Sequence, residues 1–177
     1  MTVRAWLAGD EFDLQDLATY FAAGHVVVAK EGDEYYLGAT ALDERTDEPI
    51  QQVAARLLTQ VNGVGRVMDF GFRPVQLTGR YNDGDAVIVV VDAHFGARGR
   101  LTASAVVVGD EQATPTSPPP GPMYLESATR VGEIAEVLAL MGQPVRFGWV
   151  EMYKVFEIIE ERVPKAVRQS RLGNHYR

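Results

Sequence analysis

Between Asp47 and Val61, six apolar side chains (Ile50, Val53, Ala54, Leu57, Leu58 and Val61) recur at i, i+3, i+4, i+7, i+8 and i+11. That spacing is the stripe of an α-helix with one dry face. Asp47 is placed to cap it, and Pro49 suits its first turn. Each Leu, Ile or Val on the stripe gains about 1.5–3 kcal/mol on burial before entropy is charged against it. Such a helix needs a partner surface, and β-rich runs on either side of it supply one.

Ahead of the helix, TVRAWLA alternates as a strand, and FDLQDLATYFAAG follows as a short helix. Asp13 is expected to cap that helix, with Leu14, Leu17, Ala18 and Phe21 on one face and Gly24 as its stop. HVVVAK and EYYLGAT flank EGDE, so residues 25 to 39 are predicted to form a hairpin around Gly32-Asp33. After the helix, PVQLTGRYN, AVIVVVDAHF and RLTASAVVVG are joined by NDGD and GARGR, the pattern of an antiparallel meander. The middle run is almost wholly apolar, as expected of a strand covered on both faces.

The composition then breaks at EQATPTSPPPGP, residues 111 to 122, which hold five of the nine prolines. A polyproline II spacer is predicted there. Beyond it, Ser127 is expected to cap a helix whose stripe is Val131, Ile134, Ala135, Leu138 and Met141, and Gly142 and Pro144 end it. The last helix is predicted from about Trp149 to Val163, with Trp149, Met152, Phe156, Ile159 and Val163 at 3.5-residue spacing and Tyr153 widening the stripe. Pro164 breaks the pattern.

The fold class read from this is α+β, an antiparallel sheet with an amphipathic helix packed on it, followed by a C-terminal helical pair. The predicted organisation is a sheet-bearing body over 1–110, the proline-rich linker over 111–122, a helical hairpin over 123–163 and a basic tail over 164–177. There is no internal repeat.

Charge is unevenly spread. Residues up to Glu161 carry all 24 acids and 12 of the 17 Lys/Arg, whereas Arg162, Lys165, Arg168, Arg171 and Arg177 follow with no acid among them. A basic end on an acidic body points to an anionic partner or to the protein's own acidic surface. The absence of cysteine excludes disulfides, thiolate metal sites and cysteine nucleophiles. No stretch approaches the roughly 18 apolar residues of a membrane helix, and no signal-like start precedes Asp10 and Glu11. A soluble, cytoplasmic protein without membrane contact is expected.

Three short patterns bear on chemistry. In NGVGRVM, Gly63 and Gly65 stand in G-x-G order, but they follow a helix rather than a strand and Met68 takes the third glycine's place, so a helix-ending kink is predicted instead of a dinucleotide fingerprint. Asp92 and His94, two residues apart at a strand end, share a sheet face, where a carboxylate can orient an imidazole. A metal would need a further ligand, His25 being the other histidine of the body, and no metal or cofactor is predicted. Arg168 and His175 are separated by six residues, which resembles the R-x4–6-H spacing of HEPN-type ribonucleases. That resemblance implies metal-independent RNA cleavage, with the arginine stabilising phosphate charge and the histidine moving protons at the 2′-hydroxyl. Gly173 and Asn174 depart from the helix that family has around its motif.

The segment MYKVFEII, with Tyr153, Lys154, Phe156, Glu157, Ile158 and Ile159, resembles a Leu-Tyr-Lys-x-Tyr-Glu-Ile-Ile-type helix near the C-terminus of a group of bacterial proteins. The resemblance implies the same helical ending and supplies no catalytic residues. Val150, Val155 and Ile158 lie off the main stripe of this helix, so a single contact face cannot hide all its large apolar groups. The functional expectation is therefore a non-catalytic interaction or assembly protein. Its binding face is Trp149, Met152, Tyr153, Val155, Phe156, Ile158 and Ile159, and its partner is another protein or an identical subunit. The alternative is an RNA binder or HEPN-like ribonuclease using Arg168 and His175. A small-molecule pocket walled by Tyr35, Tyr36 or Trp149 is a third possibility.

Overall fold

The computed structural model describes residues 3–44, 47–83, 86–89, 118–144 and 148–162. Strand β1 (Arg4–Ala8) leads into helix α1 (Glu11–Tyr20), the hairpin β2 (Val26–Glu31) and β3 (Glu34–Ala39), and the short α2 (Thr40–Asp43). The long α3 (Ile50–Met68) precedes β4 (Gln76–Asp83) and β5 (Ala86–Val89), and α4 (Pro120–Arg130), α5 (Gly132–Met141) and α6 (Trp149–Arg162) close the described chain. The five strands pair antiparallel in the order β2-β3-β1-β4-β5, so the fold is α+β with β1 at the centre.

The hairpin turns where expected. Glu31 pairs with Glu34 across a two-residue loop whose first residue, Gly32, has φ 60°, a conformation only glycine adopts without strain. Pairing of β1 with β4 is interrupted by a bulge between Ala5 and Leu7. Gly79 stands in the bulge with φ 78°, and the Thr78 hydroxyl fills the gap in the ladder, donating to the Trp6 carbonyl and accepting from the Arg80 N–H, both at 3.2 Å.

One core joins the sheet to the helices from α1 to α5. Ala5, Leu7, Val28, Leu37 and Tyr81 from the sheet meet Leu17 and Phe21 beside α1, Val61 and Val64 of α3, Ala128 of α4 and Leu138 of α5. Helices α4 and α5, after the proline-rich segment, are thus packed into the body rather than held apart from it. The spacer itself is shorter at its end than the prolines suggest, because Pro119 is the N-cap of α4 and Pro120 its first residue. Proline's missing N–H and fixed φ suit a first helical turn.

Four helix ends differ from the reading of the sequence. Asp10, not Asp13, caps α1, its carboxylate accepting from the Phe12 N–H at 3.1 Å, while Asp13 is turned inward and buried. Asp47 makes no cap to α3, whose N-cap is Pro49. Ser127 lies inside α4 and donates to the Met123 carbonyl at 2.8 Å; the break comes at Val131, extended at φ −130°, ψ 105°, and α5 restarts at Gly132. Finally, α3 does not stop at Asn62-Gly63 but continues to Met68. Gly63 is covered by the backbone of Leu138, and Gly142 at the end of α5 lies on the carbonyl of Thr59. These glycines are points of helix-to-helix approach, not a kink. Where the two helices meet, Arg66 donates to the carbonyls of Met141 and Gln143 at 2.6 and 3.1 Å, satisfying the free end of α5.

Asp13 supplies a pH-dependent contribution. One carboxylate oxygen accepts from the Arg73 N–H at 3.2 Å and the other lies 3.7 Å from the Arg73 guanidinium. Burial nevertheless pushes its pKa up, against the pull of Arg73. The folded chain therefore keeps a proton that the unfolded chain releases at the ordinary Asp value of about 3.9. Between that value and the raised one the folded state binds more protons, so this contribution to stability is full at lower pH and declines as pH rises. Asp16, raised likewise by burial, adds a decline of the same sign, so urea midpoints against pH are expected to fall more steeply in the parent than in Asp13→Asn.

Candidate docking face on the last helix

Helix α6 starts at a cap built from its own first turn: the Glu151 carboxylate accepts from the Gly148 N–H at 2.9 Å. This bond, together with the backbone N–H of Glu151, holds the Glu151 carboxyl below the usual range. The helix packs on α5. Successive residues are about 100° apart around a helix, so Glu151, Val155 and Ile158 share one side, and these three are half-buried. Trp149, Met152, Tyr153, Phe156 and Ile159 occupy a sector about 120° wide, centred about 130° away from that side.

The sector is open to solvent. Trp149 is 85% exposed, Tyr153 62% and Phe156 57%, and Met152 and Ile159 are exposed as well. Among the described residues the side of α6 left open is not the one expected, although Val150, also taken as surplus, stays exposed. Val155 and Ile158, taken from the sequence as surplus, are the residues turned inward. The regular stripe is the one left out. Periodicity reveals a stripe but not which neighbour it meets, and α5, only ten residues long, has room for the narrower side.

From the side-chain areas of aromatic residues, the open sector amounts to on the order of 600 Å², at the upper end for the largest apolar patch on a monomer. A trough of about 670 Å³ lies beside it, and the described part of its wall runs from Trp149 to Glu157 of α6. Lys154 and Glu157 stand at its border.

The other sequence patterns do not assemble a site. The glycines of NGVGRVM are inside α3, where the backbone N–H groups are engaged in helix bonds, so they present no phosphate cradle. Tyr35 and Tyr36 lie on opposite faces of β3 and cannot line one cavity. Tyr35 is in the core with its hydroxyl donating to Glu11 at 3.0 Å, while Tyr36 is edge-on to Trp6 on the far face. His25 is exposed in a turn. Asp92, His94, Arg168 and His175 lie outside the described residues, as does the third meander strand. Among the described residues no group of His, Cys, Asp or Glu can hold a metal ion, and no helix is long and apolar enough to cross a membrane.

The far face of the sheet carries an array that pattern reading missed. Trp6 is buried to 5% exposure, with the Arg80 guanidinium 4.1 Å above its ring, its indole N–H donating to Asn82 at 3.1 Å and the Tyr36 ring 5.8 Å away. Arg4 stacks on Tyr36 at 5.0 Å. An aromatic and cationic sheet face is a familiar platform for single-stranded nucleic acid. Here Arg4 is paired with Glu31 at 2.5 Å and Arg80 with Glu34 at 2.6 Å, and the indole is covered. Its charges are spent within the protein. The signal was present in the alternation of Arg4, Trp6, Thr78, Arg80 and Asn82, which share this face.

Comparison of the chain with protein-family models, with curated proteins and with solved structures finds no match. Among the described residues the open sector of α6 is where exposed aromatic side chains cluster on one helix face.

Proposed function

We propose that this is a non-catalytic interaction or assembly protein that docks a protein surface onto the open sector of α6. The observation that carries this reading is Trp149 at 85% exposure beside Tyr153 and Phe156, three aromatic side chains on one helix face. Trp and Tyr dominate interface hot spots because they bury large area with little rotamer entropy lost.

A Trp149→Glu, Phe156→Glu double variant tests the reading. Both side chains are exposed, so the melting temperature is expected to stay within the shift of about 0.5 kcal/mol typical of surface changes. Association is expected to weaken by more than about 2 kcal/mol, roughly 30-fold. Native mass spectrometry of assemblies purified from the protein's own cells reads the loss. Identical assemblies from parent and variant would remove the proposal.

A further inference from the structure

We infer that the occupant of the α6 face is the α6 face of a second copy of this chain, lying antiparallel; this rests on the docking reading above and names the partner. The exposed stripe Trp149, Met152, Phe156, Ile159 has intervals of three, four and three residues, which read the same in either direction. A reversed copy therefore sets Trp149 against Ile159 and Met152 against Phe156, large groups meeting large groups in successive layers as in antiparallel helix pairs. No other orientation of a second copy matches the stripe to itself so fully with the helix dipoles opposed.

Charge agrees with this orientation. Within the sector the one charged residue is Glu160, between Trp149 and Tyr153 when viewed down the helix. In the antiparallel pair the two Glu160 carboxylates lie at opposite ends of the interface, about 18 Å apart along the axis. In a parallel pair the two Glu160 carboxylates would face each other. Lys154, Glu157 and Glu161 lie outside the sector and are not brought together. Area agrees as well, because two patches on the order of 600 Å² bury about 1,200 Å², the lower bound for a specific interface. The sector points about 130° away from the side that meets α5, and among the described residues nothing stands where a second helix would lie at the usual 8–10 Å.

The chain has no cysteine, so introduced ones are its only thiols. Trp149→Cys chains mixed with Ile159→Cys chains and gently oxidised are expected to give a disulfide-linked dimer. Each variant alone is expected not to, since in the antiparallel pair its own two sulfurs are held about 15 Å apart along the axis, against Cα separations of at most about 7 Å in disulfides. Sedimentation equilibrium of the cysteine-free parent should show a dimer, and of Phe156→Glu a monomer. Cross-linking of each single variant with itself would indicate parallel pairing and overturn the inference. A parent monomeric at the highest concentration reached, with no mixed cross-link, would also overturn it. In that case the docking reading survives only if the Trp149→Glu, Phe156→Glu variant still loses a different protein from its assembly.

Discussion

Replacing Gly63 by alanine is expected to destabilise the fold by about 3 kcal/mol, even though alanine is the better helix former by about 1 kcal/mol. A methyl at this position would fall on the backbone carbonyl of Leu138, which has no rotamer through which to escape. Relief requires α5 to move off α3, and Leu138, now 2% exposed, would lose its packing. For a chain of this length about 3 kcal/mol corresponds to a fall of roughly 6–12 °C in Tm. Gly132→Ala provides the contrast: nothing lies near that site and its φ is not positive, so Gly132→Ala is expected to be neutral or to stabilise by up to about 1 kcal/mol. Parallel thermal melts of the two variants check the pair. Equal melting temperatures would mean that α3 and α5 do not approach as described.

The second large effect is expected at Asn62, buried in α3 with its side chain folded against the segment leading into β4. Its amide donates to the Val75 carbonyl at 2.9 Å and its oxygen accepts from the Val75 N–H at 3.0 Å, so one side chain satisfies both polar groups of a buried residue. Asn62→Leu keeps the branching at Cγ and removes both bonds. Leaving a buried backbone donor and acceptor unpaired costs about 1–3 kcal/mol each, so a loss of about 3–5 kcal/mol is expected. Urea denaturation measures the total, and hydrogen exchange at the Val75 amide separates this cause from general loosening. The amide should lose protection well before those of β1. Retained protection at Val75 would show that another group serves it.

Much of the architecture was legible in the sequence, because period and turn chemistry are local. The hairpin at Gly32, the stripe from Ile50 to Val61 and the α6 helix follow from residues a few positions apart. What was not legible depends on neighbours distant in sequence. Gly63 reads as a stop until Leu138 is beside it. Asp13 reads as the cap of α1, and the role falls to Asp10 because Asp13 is taken inward beside Arg73. Ser127 precedes an apolar run that turns out to be two helices meeting at Val131. Prolines that suggest an extended spacer also suit the first turn of α4. At the candidate site, the apolar stripe of α6 was legible and its orientation was not, since which side of α6 is turned inward is decided by α5.

Among the described elements, α6 leans on α5, and α5 is seated on α3 by contacts too close for any side chain at Gly63 or Gly142. The aim of the exposed helix is thus set at a fulcrum deep in the protein. A tilt of a few degrees there is carried outward and magnified at the far tip of α6, so substitutions that never touch the face can misalign it. Selection for one geometry of assembly would then fall on the glycines as much as on the aromatics.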